Sequence, residues 1–216
     1  MQRIIDDNAE DTMLFVHHPA TWDIRKVPVW EQMDKQLLEE FKRRRISIFN
    51  FHVPLDNFGP YSTGTSLAKV LKLTELKPFA MFFGGLCGVF GKTEATHVGL
   101  LRERFEEQVE HTVSLYSYGD PEIKKGIVAV AAGGGLDVDV LTEVAKEGVN
   151  TFVTGIGIKN EISGKAHELA EKHGINVLAG THYSTEKFAC MAMCGYFRRF
   201  GLPVEFIKDD PLLEDL

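Results

Sequence analysis

Apolar residues along this chain alternate between two rhythms. Short apolar runs at Met13 to Val16, Ile46 to Phe51, Phe79 to Phe83, Thr112 to Tyr116, Gly126 to Ala132, Thr151 to Thr154, Ile175 to Ala179 and Val204 to Ile207 read as strands. Between them, apolar positions recur at helical spacing: Trp30, Met33, Leu37, Leu38 and Phe41; Val98, Leu101, Phe105 and Val109; Ile162, Ala166, Leu169 and Ala170; Phe188, Met191, Gly195 and Tyr196. Thr65 to Leu73 and Leu136 to Lys146 add two further helices, and Gly84-Gly85 predicts a turn joining paired strands. Strand following helix following strand argues α/β with a largely parallel or mixed sheet. No linker, low-complexity stretch or short internal repeat interrupts this order.

Charge places the helix ends. Glu31 and Asp34 open the first long helix and Lys42 to Arg45 close it, as the helix dipole favours. The basic quartet is expected to be a solvated terminus rather than a phosphate patch. Over all 216 residues the formal net charge is −7, which disfavours nucleic acid or an anionic membrane surface as partner. Hydrophobic content of 44% with 25% charged residues is that of an ordinary globular chain. No apolar run is long enough to span a bilayer, and Met1 to Thr12 lacks the apolar core of a secretory signal. Three cysteines without framework spacing point to a reducing compartment, so a cytoplasmic location is expected. Cys190 and Cys194 read as core packing.

The candidate chemistry sits at strand ends. His17-His18-Pro19 closes the first strand, and proline ends the ladder there, freeing both imidazoles to project from one edge. His52-Val53-Pro54-Leu55-Asp56 follows the second strand. His182 and Glu186 follow the Ile175–Ala179 strand and, four residues apart on a helix, share a face. The remaining histidines, His97, His111, His167 and His173, are expected at helix surfaces. Three separate strand ends thus carry nitrogen and carboxylate ligands, more than one tetrahedral ion requires, which suits two ions. The spacing is not His-Glu-x-x-His, and no Gly-x-Ser-x-Gly elbow is present. Gly133-Gly134-Gly135 lacks nucleotide-binding spacing and is read as close backbone packing.

His17-His18-Pro19, His52-x-Pro-Leu-Asp56, Val130-Ala-Ala-Gly-Gly-Gly135, Val153-Thr-Gly155 and His182-Tyr-x-Thr-Glu186-Lys together resemble the Nif-three-like family, whose members are often described as GTP cyclohydrolase 1 type 2 homologues. The resemblance runs from about Met13 to Ile207. It implies two α/β lobes with mixed sheets and a dinuclear metal site in the cleft between them. It also implies His17, His18, Asp56, His182 and Glu186 as ligands, with His52 beside them. A ring-shaped homo-oligomer, commonly a hexamer, is implied too. Compared with the family, the segment before the His-His strand is short, so the first lobe is expected to lack a sheet member or take one from a neighbour. Thr154-Gly155-Ile156-Gly157 has no acidic residue where many members place one, so that loop is given no role in chemistry.

Two functions follow as expectations. In the first, two divalent ions (Zn, Mn, Fe, Co or Ni) support hydrolysis of a nucleotide or related small molecule, with His52 or Tyr183 as proton or orientation partner. In the second, the ions stabilise an oligomeric scaffold or a regulatory protein.

Overall fold

The computed structural model describes residues 1–18 and 34–216; Pro19, Trp30, Glu31 and Met33, which the sequence reading uses, lie outside them. The chain divides into two compact units, Met1–Pro54 and Leu55–Leu216.

In the first unit, α1 (Gln2–Asp6) precedes β1 (Met13–Val16), and α2 (Lys35–Arg43) precedes β2 (Ser47–Asn50). The strands pair in parallel, from Met13 with Ser47 to Val16 with Asn50. Both strands therefore point their carboxyl ends, and the histidines behind them, the same way. Ile4, Phe41 and Ile46 form the buried core, with Leu14 and Ile48 packed against it. Asp34 starts α2 by accepting the amides of Gln36 and Leu37, as an N-cap carboxylate does. Lys42, Arg43 and Arg45 of the basic quartet are exposed, as a solvated terminus requires, and Arg44 is half-buried. Arg43 and Arg44 both bond Glu40, Arg44 also donates to the Ile5 carbonyl, and Arg45 grips Asp11 with two nitrogens. Hydrogen bonds from the two guanidinium groups hold the Glu40 carboxyl down to about 2. Arg44 and Arg45 tie the end of α2 to the chain entering β1.

The boundary between units falls within the short α3 (Val53–Asp56). The second unit continues with α4 (Thr63–Val70), β3 (Thr74–Phe82), β4 (Gly85–Lys92), α5 (Val98–Val109), β5 (Ser114–Tyr116), β6 (Ile127–Ala131), α6 (Val138–Lys146), β7 (Thr151–Thr154), α7 (Gly164–His173), β8 (Asn176–Ala179) and α8 (His182–Arg198). Its six strands lie in the order β3-β4-β6-β7-β8-β5. β6, β7 and β8 run parallel, while β3, β4 and β5 join antiparallel. The sheet is mixed, as expected. At the hairpin, Phe83 and Gly84 both take positive φ, 44° and 84°, the backbone of a two-residue turn that matches strand twist.

Strand alternation divides the core in two. Val128, Val130, Val153 and Leu178 face one side, under Leu67, Leu101, Phe105 and Phe188. Ala129, Ala131, Phe152 and Val177 face the other, with Leu141, Val144 and Ala170. Helices on both faces explain why the central strands read as unbroken apolar runs. The four positions predicted for α5, Val98, Leu101, Phe105 and Val109, are its buried residues. Among the described residues no helix is long and apolar enough to cross a membrane.

Four expectations need correction. Val204 to Ile207 forms no strand. Ile162 is 93% exposed and precedes α7; the Asn160 side chain accepts the Ile162 and Ser163 amides and holds a turn there. α8 begins at His182, and Ser184, Thr185, Phe188, Ala189 and Met193 are buried on it, whereas Met191 and Gly195 are exposed. Its small polar residues enter the core because local backbone groups satisfy their hydroxyls. Finally, His167 is fully buried: Nε2–H donates to the Gly157 carbonyl at 2.9 Å and the Tyr118 hydroxyl donates to Nδ1 at 3.0 Å. A polar residue with both nitrogens partnered can occupy a core position. His111 is half-buried, while His97 is exposed and caps α5 through the Gly99 amide.

Candidate metal centre

In the first unit, β1 stops at Val16, so His17 and His18 lie past the last ladder pair and escape strand alternation. Asn50, at the end of β2, donates its side-chain amide to the His17 carbonyl at 2.5 Å. The imidazoles of His17, His18 and His52 cluster, with ring centres 4.3 to 5.0 Å apart. One nitrogen from each ring lies within 4.8 Å of the others. His17 Nδ1 is 3.2 Å from the Phe51 carbonyl. That contact favours the Nδ1–H tautomer and presents the Nε2 lone pair as a ligand atom. His52, which the family resemblance sets beside the ligands, contributes a third nitrogen to this group.

In the second unit, the chain turns from β8 into α8 through a reciprocal cap. The Thr181 hydroxyl accepts the Ser184 amide, and the Ser184 hydroxyl accepts the Thr181 amide. This sets the first turn, from which His182 and Glu186 project together: His182 Nε2 is 3.1 Å from Glu186 Oε1. Glu186 and Asp56 are both buried, and a carboxylate oxygen of one lies within 4.8 Å of an oxygen of the other. The Thr63 hydroxyl, in the first turn of α4, donates to Asp56 Oδ1 at 2.9 Å.

Gly133 closes the group from the β6 side. Its φ is +62°, and a Cβ there would stand 2.1 Å from Glu186 Oε1 and 2.8 Å from His182 Nε2. The Gly133 amide donates to the Thr185 hydroxyl, and its carbonyl accepts the Gly155 and Ile156 amides. A Cβ on Gly155 would in turn fall 2.6 Å from the Gly133 carbonyl oxygen. The glycine triplet thus serves close backbone approach, the reading favoured from sequence. That Gly133 approaches the His–Glu pair itself is decided by its backbone conformation, which no motif displays.

Tyr183, the other candidate proton partner, points its hydroxyl at the tail, where it accepts the Asp209 amide at 2.8 Å. Burial pushes its phenol above the ordinary range. Cys194 is buried and Cys190 half-buried, in keeping with core packing. Thr63 carries no sequence signal of a role. The structure assembles one trio of imidazoles in the first unit and one acid–imidazole–acid group in the second. Imidazole with carboxylate is the donor chemistry of borderline divalent ions such as Zn, Mn, Fe, Co and Ni.

A family model described as Duf34/NIF3 (NGG1p interacting factor 3) matches residues 2–211. The chain is 28% identical over 202 residues to the GTP cyclohydrolase 1 type 2 homolog of Pyrococcus horikoshii, covering 92% of this chain and 76% of the relative. It is 27% identical to the protein of that name from Deinococcus radiodurans, covering 91% and 71%. Among solved structures, protein ybgI, of unknown function, superposes with a TM-score of 0.79 at 22% identity, over 98% of this chain and 80% of that one. TTHA1606 from Thermus thermophilus superposes at 0.75 with 23% identity, over 98% and 79%. At these identities the superpositions establish the fold.

Proposed function

The chain belongs to the Duf34/NIF3 family, and on that premise we propose that it is a dinuclear metal protein acting as a metal-dependent hydrolase on a nucleotide or related small molecule. In this reading His17, His18, Asp56, His182 and Glu186 hold two divalent ions. The observation that carries it is the Asp56–His182–Glu186 group: a buried carboxylate pair with an imidazole 3.1 Å from one of them, and a glycine whose missing Cβ leaves room for their heads. Buried acids gathered this closely are costly without a cation to offset their repulsion. The donor set therefore fits the metal that the family implies.

When bound, such ions supply Lewis acidity and bring water ionisation toward neutral pH. The chain's own residues supply the rest. Thr63 fixes the Asp56 carboxylate by its hydroxyl, the Thr181 cap fixes the turn bearing His182, and the Phe51 carbonyl orients His17. Such outer contacts set ligand orientation and basicity. His52 is the residue proposed to hold or pass a proton beside the reacting group, with Tyr183 as the other candidate. The name GTP cyclohydrolase 1 type 2 homolog, carried by the relatives, motivates a nucleotide as the first substrate to test. A ring-shaped homo-oligomer and a cytoplasmic location belong to the same proposal.

The test is elemental analysis of the purified protein, followed by a turnover screen on nucleotides, phosphoesters and cyclic amides with Zn, Mn, Fe and Co. Metal at a stoichiometric ratio is expected, with turnover that Glu186→Gln abolishes. Stoichiometric metal without turnover on any of these substrates would favour the scaffold reading, in which Glu186→Gln lowers only stability or association. A protein that takes up no metal would overturn both.

A further inference from the structure

Beyond these groups, Asp215 stands in the segment after α8, where the sequence shows only an acidic tail. Its carboxylate Oδ2 accepts the His182 amide at 2.8 Å, and its backbone carbonyl accepts the amides of Gly157 and Ile158 at 2.8 and 3.0 Å. Each contact lies on an element already joined to the His182–Glu186 pair. His182 is the first residue of α8, whose amide has no partner inside the helix. The Thr181 and Ser184 hydroxyls are committed to each other's amides, so a carboxylate from elsewhere in the chain serves the His182 amide. Negative charge is favoured at that end of a helix. The Gly155–Ile158 loop, in turn, donates through Gly155 and Ile156 to Gly133, whose amide returns to Thr185 on α8. Asp215 thereby closes a ring of hydrogen bonds running from α8 to the β6 loop, to the β7 loop and back to α8. Two further contacts fasten the segment: the Asp209 amide donates to Tyr183, and Lys208 pairs with Glu110.

We infer that Asp215 is a positioning residue: it fixes the backbone of His182 and the loop bracing Gly133, and so sets the imidazole against Glu186. The inference rests on the metal-centre reading for its consequence, which is tighter metal binding. Removal of a residue that orients a metal ligand typically costs about ten- to hundredfold in affinity. Asp215→Ala in the full chain is expected to weaken Zn affinity by that order in competition with a chromophoric chelator. Asp215→Asn, whose amide oxygen still accepts the His182 N–H, is expected to recover most of it. Hydrogen exchange on the metal-free protein gives the second readout: Asp215→Ala, which keeps the backbone carbonyl that holds Gly157 and Ile158 but removes the acceptor of the His182 amide, should speed exchange at the first turn of α8. Unchanged exchange at that turn would overturn the inference, as would Ala and Asn variants equally weakened for Zn. Should the wild-type protein bind no metal, the functional reading fails, and hydrogen exchange alone decides whether Asp215 braces the turn.

Discussion

A buried imidazole with both nitrogens engaged titrates unlike one in water. Burial holds His167 below its ordinary value of 6.5, and a second proton would have to displace either the Tyr118 hydroxyl or the geometry at Gly157. The unfolded chain therefore binds more protons in the window beneath 6.5, so this residue's contribution to stability is complete above about pH 6.5 and is lost as pH falls through the folded value. Urea unfolding at about pH 7.5 and about pH 5.5 checks this: the wild type should lose more stability across the interval than His167→Gln. Equal losses would show that His167 is not among the groups responsible. Gly133 teaches a different lesson at the same scale. Its positive φ, and the 2.1 Å that would separate a Cβ there from Glu186 Oε1, make it a residue defined by the atom it lacks.

At the scale of elements, the N-terminus of α8 bears the most weight. Thr181 is fully buried and shares a reciprocal cap with Ser184. Thr181→Ala removes the hydroxyl that serves the Ser184 amide, and loss of such a cap costs about 1 kcal/mol, within roughly 0.5 to 2. Chemical denaturation of the metal-free protein should show that loss with an unchanged denaturant slope. A stability equal to wild type would mean that packing of α8, not its cap, sets the turn. The corrected face of α8 has the same origin. Apolar spacing selects Met191 and Tyr196, but the helix starts at His182 and buries Thr185 and Ser184, whose hydroxyls bond within the turn. Hydropathy alone cannot anticipate polar side chains whose partners are their own backbone.

For the whole molecule, the proposed centre links metal to stability. A ligand that binds only the folded state stabilises by about 2.7 kcal/mol at a hundredfold excess over its dissociation constant. Thermal melts with and without a chelator should therefore differ, and adding Zn or Mn back should restore the higher melting temperature. Melts that coincide would place the metal outside the folding equilibrium and weaken the proposal. The effect is expected to be smaller in Asp215→Ala, where affinity is reduced.

Periodicity alone determined the central strands β6, β7 and β8 and the four buried positions of α5, because burial on both faces leaves a continuous apolar record and burial on one face leaves a periodic one. It also marked His17, His18, His52, Asp56, His182 and Glu186, since ligand-type residues directly behind strands stand out against apolar runs. Tertiary structure decided what depends on partners remote in sequence: the burial of His167 by Tyr118 and Gly157, the approach of Gly133 to the His182–Glu186 pair, the hold of Thr63 on Asp56 and the return of Asp215 to α8. A chain records which residues avoid water; it does not record which distant atom will satisfy a given hydrogen bond, because that is set only when the elements pack.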